Sequence, residues 1–522
     1  MLTKTRSTRP DAPDLPRLTG AAPRPSLPAR PRAIVIGAGF GGLAAAVRLS
    51  LRGYAVTVLD RLDGPGGRGT AFRQDGFVFD AGPTIVTVPK LFEDLWTAAG
   101  ERMADHVTLA PLDPFYRIRF DDGETFAARR DPDAMRAEVA RLSPGDVAGF
   151  DRFVATARAR YRIGFEGMGT IPFERVADMV PWLYDLARLR ADRSVWGAAA
   201  AAMRDPRLRQ AMSFHPLFIG GDPTVVTSMY CLVSFLEAAF GVHYAMGGTN
   251  ALARAVADLA ERQGAQIHYG QEVDEILVEN GRAAGVRLAS GAERRAEIVV
   301  SNADVAWTYG HLLRGHTRRR WTDARLGRAA YSMSLYVWYF GTDRRWDAVD
   351  HHTILMGPRY RELIRDIFRT GRLADDLSLY LHRPSATDPS VAPEGCDAFY
   401  VLAPVPHLGH GHDWSAERGR IKRQITERLE ATVLPGLSRH IVSELEMTPE
   451  DFRDRYRSPL GAGFSLEPRL FQSAWFRPHN RSEELDGLYL VGAGTHPGAG
   501  LPGVVTSALL LDSVVPHGKT LV

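Results

Sequence analysis

The sequence predicts an α/β fold whose parallel sheet is gathered from separate stretches of the chain, and three observations carry that prediction. Residues 33–60 read as strand, glycine turn, helix and second strand, with an acid at the end. Residues 488–504 read as strand, glycine-rich loop and apolar helix. Between them, 298–304 is an apolar strand that ends in a polar turn. Segments so far apart form one sheet only if other structure is inserted between them.

In the first segment Gly37, Gly39 and Gly42 stand at GxGxxG spacing. Gly37 permits the tight turn, Gly39 lets backbone approach a pyrophosphate, and Gly42 lets the helix pack closely on the strand. A pyrophosphate there faces the positive end of the helix dipole. Asp60 ends the second strand, where an acceptor for ribose hydroxyls belongs. A nicotinamide domain would usually continue into another helix. Here 61–70 is a basic, glycine-dense loop in which Gly67 precedes Arg68, an arginine available to a phosphate or a flavin ring. An aromatic strand then ends in a small-residue turn at 80–84, where Pro83 and Thr84 let a flat ring lie against backbone. These features point to FAD, and the unit is read as a Rossmann-like FAD-binding domain.

The carboxyl-terminal segment supplies a second surface of the same kind. Gly494, Thr495 and His496 follow the strand, and Gly503 and Val504 open the helix, so backbone amides again face phosphate or flavin oxygens. His496 is assigned to cofactor or active-site contact rather than to proton transfer. Between the two ends lie a glycine turn and helix at 246–259, a strand at 266–269, and a hairpin across 272–288.

At this point the chain resembles the bacterial-type phytoene desaturases, the flavin carotenoid desaturases, from about residue 31 to 513. The motifs at 35–42, 66–68, 80–84 and 492–503 carry the resemblance, together with the stretches 213–221, 401–408 and 472–480. The resemblance implies that backbone at Val273 holds the adenine. It also implies an acidic catalytic group at Asp178, although Pro181 stands where the family often has a basic residue. A helix-surface aspartate is the alternative for Asp178. The expected organisation is a Pro/Arg-rich tail at 1–30 and FAD-binding segments at 31–105, 241–304 and 453–522. A helical substrate- and membrane-facing region at 106–240 and an α+β substrate domain at 305–452 are inserted between them.

Bulk properties set limits. The 522 residues, 45% of them hydrophobic, can bury a large core. A net charge of +3 gives no general field for nucleic acid. Cys231 and Cys396 are too few for a disulfide framework and suit a reducing cytosol. No stretch reaches the roughly 18 apolar residues of a spanning helix. The nearest, 195–203 and 225–236, are either core helices or a greasy entry for substrate. The aromatic run at 335–340 is either core sheet or tunnel wall, which periodicity does not separate. His407, His410 and His412 read as an exposed loop rather than a metal site, and no metal is expected.

The expected reaction is desaturation of phytoene by successive hydride transfer to FAD, giving neurosporene or lycopene, with quinone or oxygen as final acceptor. The resemblance further implies a cytoplasmic protein held peripherally at the inner membrane. A related flavin desaturase or isomerase working on another carotenoid, or a prenyl-binding escort without redox turnover, are the alternatives; the intact glycine loops weigh against the escort.

Overall fold

A computed structural model describes residues 30–520 of the chain. Apart from Arg30, the tail read at 1–30 lies outside the described residues.

Strand Arg32–Ile36 sits at the centre of a five-stranded parallel sheet, as its unbroken apolar run requires. Across the sheet the order is Leu488–Leu490, Ile298–Ser301, Arg32–Ile36, Ala55–Leu59 and Gln266–His268. Side chains alternate between its faces. Ala33 and Val35 pack on helices Phe40–Leu51, Thr249–Arg262 and Leu501–Leu509, through Leu43, Leu252 and Val505 among others. Ile34 and Ile36 turn the other way, towards a three-stranded antiparallel sheet of Val273–Glu279, Arg282–Leu288 and Glu293–Arg295. The discontinuous assembly is therefore present, with all three expected segments in one sheet.

The inserted unit is a seven-stranded sheet, in the order Ile441–Met447, Ser334–Thr342, Asp397–Val405, Leu379–His382, His352–Leu355, Tyr116–Arg119 and Thr125–Ala128. The last two strands come from the region expected to be helical, which corrects that reading. Tyr116–Arg119 adds in parallel to His352–Leu355, so the substrate unit too is built from separated segments. From Pro132–Leu142 to Leu232–Phe240 the region is helical, as expected.

The two faces of this sheet do different work. Tyr336, Trp338, Phe340 and Val401 pack beneath the long helix Trp414–Thr432, through Trp414, Ile421 and Ile425. On the opposite face Ile354, Tyr380, Tyr400 and Leu402 line a large cavity. The aromatic run at 335–340 is therefore mainly core sheet, since of these residues only Leu335 reaches the cavity.

Candidate active site

The polar end of the cavity is made by backbone. Gly37 holds φ at +96°, and a Cβ on Gly42 would run into the Gly37 carbonyl oxygen, so neither position accepts a side chain without strain. Helix Phe40–Leu51 starts at Gly39 with no side-chain cap, leaving its first N–H groups facing the cavity. Helix Leu501–Leu509 starts in the same way at Gly500, φ +95°, again uncapped. Two positive helix ends thus open into one space, a setting for anionic phosphates.

Asn302 is set between the two glycine turns. A Cβ on Gly39 would meet its Nδ2 at 2.9 Å, and one on Gly41 or Gly492 would meet its Oδ1 at 2.6 Å. Asp60 lines the cavity and accepts from Ala38 N at 2.5 Å and Leu62 N at 2.7 Å. Burial raises its pKa, and those two backbone N–H groups oppose the rise.

Gly67, Arg68, Pro83, Thr84, Val273, His496, Gly503 and Val504 join Gly37, Gly39 and Asp60 on the same cavity wall. Beyond them the cavity continues as an apolar arm past Phe165, Met168, Leu217, Phe218 and Leu232.

Known proteins supply the remaining observation. Residues 40–510 match the family model described as flavin containing amine oxidoreductase. The neurosporene-forming phytoene desaturase of Rhodobacter capsulatus is 55% identical over 93% of this chain and 94% of its own. The lycopene-forming phytoene desaturase of Pantoea ananas is 44% identical over 92% and 99%. The chain belongs to the bacterial-type phytoene desaturase family. A structure of putrescine oxidase bound to putrescine shares the fold, with a TM-score of 0.64 at 13% identity over 93% of this chain and 99% of its own.

FAD is the cofactor, and the residues of this desaturase-family site fit it. Besides the two uncapped helix ends, the wall carries buried polar atoms without protein partners: Arg68 Nε, Asp304 Oδ2 and His496 Nδ1. Asp304 is buried and Arg68 half-buried beside it, and the Asp304 charge helps hold the guanidinium charged against desolvation. Burial pushes His496 down to about 3, so the ring is neutral at the cavity wall, its Nε2 3.1 Å from the Met168 carbonyl. A contact role suits that state.

Four expected residues lie elsewhere or do other work. Gly42 supports the turn from behind, off the cavity wall. Gly494 packs on Val305 and Ser465, and the Thr495 hydroxyl donates to the Pro478 carbonyl at 2.6 Å, so both shape the loop without lining the cavity. Asp178 stands apart from the cavity wall. Its carboxylate accepts from the backbone N–H of Arg175 at 2.8 Å and Glu174 at 3.1 Å, capping the short helix Val176–Trp182. It does not line the cavity, whereas its neighbour Met179 does.

Other site residues escaped the sequence reading. Asn302 and Asp304 sit in the polar turn after a recognised strand, which was their one available signal. Glu237 is buried in the wall of the arm, bonded to Tyr116 Oη at 2.8 Å and His215 Nε2 at 3.2 Å. Arg477 explains the stretch at 472–480. Its guanidinium donates to the carbonyls of Ala493, Gln472, Leu466 and Thr495 at 2.7–3.2 Å and so fixes the carboxyl-terminal glycine loop.

Proposed function

We propose that this protein is an FAD-dependent phytoene desaturase, with neurosporene the expected product because two relatives at 55% and 56% identity are neurosporene-forming. One observation carries the reading: the polar, backbone-built cradle runs without a break into an apolar arm, so a dinucleotide and a long hydrocarbon meet in one cavity. When bound, FAD accepts a hydride from the carbon chain. The protein's part is to hold the chain in register, exclude water and take away a proton. Phe165, Met168, Leu217 and Phe218 offer the hydrocarbon dispersion contact with no hydrogen-bond demand. Asp178 would act as acid or base only after its carboxylate leaves the two backbone N–H groups it now caps.

The same reading includes peripheral contact with a membrane. Val176, Val180, Leu183 and Tyr184 are 61, 62, 55 and 77% exposed on two consecutive short helices, an unusual concentration of exposed apolar side chains. Met179 and Leu186 from those helices line the cavity, which puts the patch at its mouth. Arg175, Arg188 and Arg190 border it and suit anionic headgroups. Among the described residues no helix is long and apolar enough to cross a membrane.

Anaerobic incubation of FAD-loaded protein with phytoene in liposomes tests the function. Flavin bleaching together with new longer-wavelength carotenoid bands is expected, the band positions identifying the product. An oxidised flavin beside unchanged phytoene would overturn the assignment. Readmitting a quinone or oxygen to the bleached protein then shows which one accepts the electrons.

A further inference from the structure

A buried line of hydroxyls and imidazoles begins at the cavity wall and ends near the surface. Tyr380 lines the cavity, and its hydroxyl is 2.6 Å from Thr84 Oγ1 and 2.7 Å from His352 Nδ1. His352 lies directly across the sheet from His382, and their rings stack with centroids 5.0 Å apart. His382 Nε2 is 3.1 Å from His351 Nε2, and His351 Nδ1 is 2.6 Å from Thr387 Oγ1. Thr387 is half-buried, beside the exposed Ala386. At the single junction without a direct bond, His352 Nε2 and His382 Nδ1 are both buried and without protein partners. Nitrogen atoms of the three rings nevertheless come within 4.8 Å of one another.

None of the three imidazoles is hydrogen-bonded to a carboxylate. Burial keeps them neutral. Arg383 pushes His351 in the same direction, Asp388 opposes it, and the three rings disfavour one another's protonation. A neutral imidazole has one N–H and one lone pair. It can therefore take a proton on one nitrogen and release another from the opposite nitrogen, and a line without carboxylates does not trap the charge in between.

We propose that Tyr380, His352, His382 and His351 conduct the substrate's proton from the cavity to the surface at Thr387. The inference rests on the desaturase reading. Each desaturation breaks two C–H bonds. One hydrogen leaves with its electron pair, as hydride, to the flavin. The second leaves as a proton, and its bonding pair becomes the new π bond. The Thr84–Tyr380 hydroxyl pair takes that proton while Tyr380 passes its own to His352 Nδ1. His352 Nε2 then supplies His382, His382 supplies His351, and His351 Nδ1 delivers to Thr387. Without such a line the charge would be stranded among apolar side chains, where an isolated ion is costly.

The test uses FAD-loaded protein and phytoene liposomes without oxygen, in weakly buffered solution containing a pH indicator. Flavin bleaching and proton release are followed together, in H2O and in D2O. In the wild type, release is expected to accompany bleaching and to slow in D2O. His382→Gln and Tyr380→Phe should keep the FAD content and visible spectrum while slowing release at least about tenfold. Added imidazole should restore part of the rate in His382→Gln. Release at the wild-type rate in both variants would overturn the relay, as would slowed release indifferent to imidazole and to D2O. A stoichiometric metal ion in the wild type, lost from His382→Gln, would also overturn it, because metal-bound nitrogens carry no proton. In the FAD-free protein, hydrogen exchange at ring carbon C2 should show the three histidines neutral from about pH 5 to 8, and a titrating ring would count against the relay. If the wild-type flavin stays oxidised with phytoene, the desaturase reading itself falls, a result distinct from failure in the variants alone.

Discussion

Four histidines, His351, His352, His382 and His496, are buried and held neutral, with His351 and His496 pushed down to about 3. Between that range and the ordinary 6.5 the unfolded chain binds protons that the folded chain refuses. Stability therefore rises with pH through this window and falls in acid. Each ring costs about 1.4 kcal/mol at pH 5.5 and almost nothing at pH 7.5. Asp80 works the other way. Burial raises it to about 6, so what it contributes is lost as pH climbs from about 4 to 6, offsetting about 1 kcal/mol of the histidine effect. Urea melts at the two pH values should therefore show His352→Gln/His382→Gln losing about 3 kcal/mol less than wild type on acidification. Asp178 invites a different expectation. Asp178→Asn keeps one acceptor for the helix cap, so near-normal turnover is expected, with faster local proteolysis around 174–182 and a cost of about 1 kcal/mol at most. Abolished turnover with FAD retained would return Asp178 to the chemistry.

Among the elements, the strand–turn–helix at 32–51 is the most constrained. A methyl group on Gly42 would meet the Gly37 carbonyl oxygen, which belongs to rigid backbone. Gly42→Ala should therefore abolish FAD retention on a desalting column, whereas Gly53→Ala, in open space at positive φ, should cost only about 1 kcal/mol. This element was legible in the sequence because its turn is local: strand, glycine turn and helix follow one another directly, and Gly42 answers Gly37 five residues before it. Asn302 and Arg477 were not legible as site residues, since what defines them is contact with glycine turns brought together only by the fold. The aromatic run at 335–340 was ambiguous for a related reason. Alternation says that a strand has two faces, but not which face meets a helix and which a cavity. Asp178 shows the converse limit, where motif position placed it beside the site and side-chain direction turned it away.

For the whole molecule, the patch at the cavity mouth ties architecture to substrate access. Replacing Val180, Leu183 and Tyr184 together by serine should weaken liposome binding more than about tenfold, since each removes roughly 1.5–3 kcal/mol of transferable apolar surface. FAD content and melting temperature should be unchanged, because these side chains pack on little else. Unaltered flotation with liposomes would move the membrane contact to another surface.

The order of strands in the parallel sheet also has a consequence in time. Arg32–Ile36 is central, yet its neighbour Ile298–Ser301 and the edge strand Leu488–Leu490 are synthesised long after it. At 5–20 residues per second, the first strand waits on the order of half a minute to a minute and a half before the last one leaves the ribosome. During that wait one edge of Arg32–Ile36 pairs with Ala55–Leu59, while the edge that Ile298–Ser301 will occupy stays open. The nascent chain is thus a client for holding chaperones, and a message truncated anywhere before the final strand yields an open sheet rather than a smaller working protein.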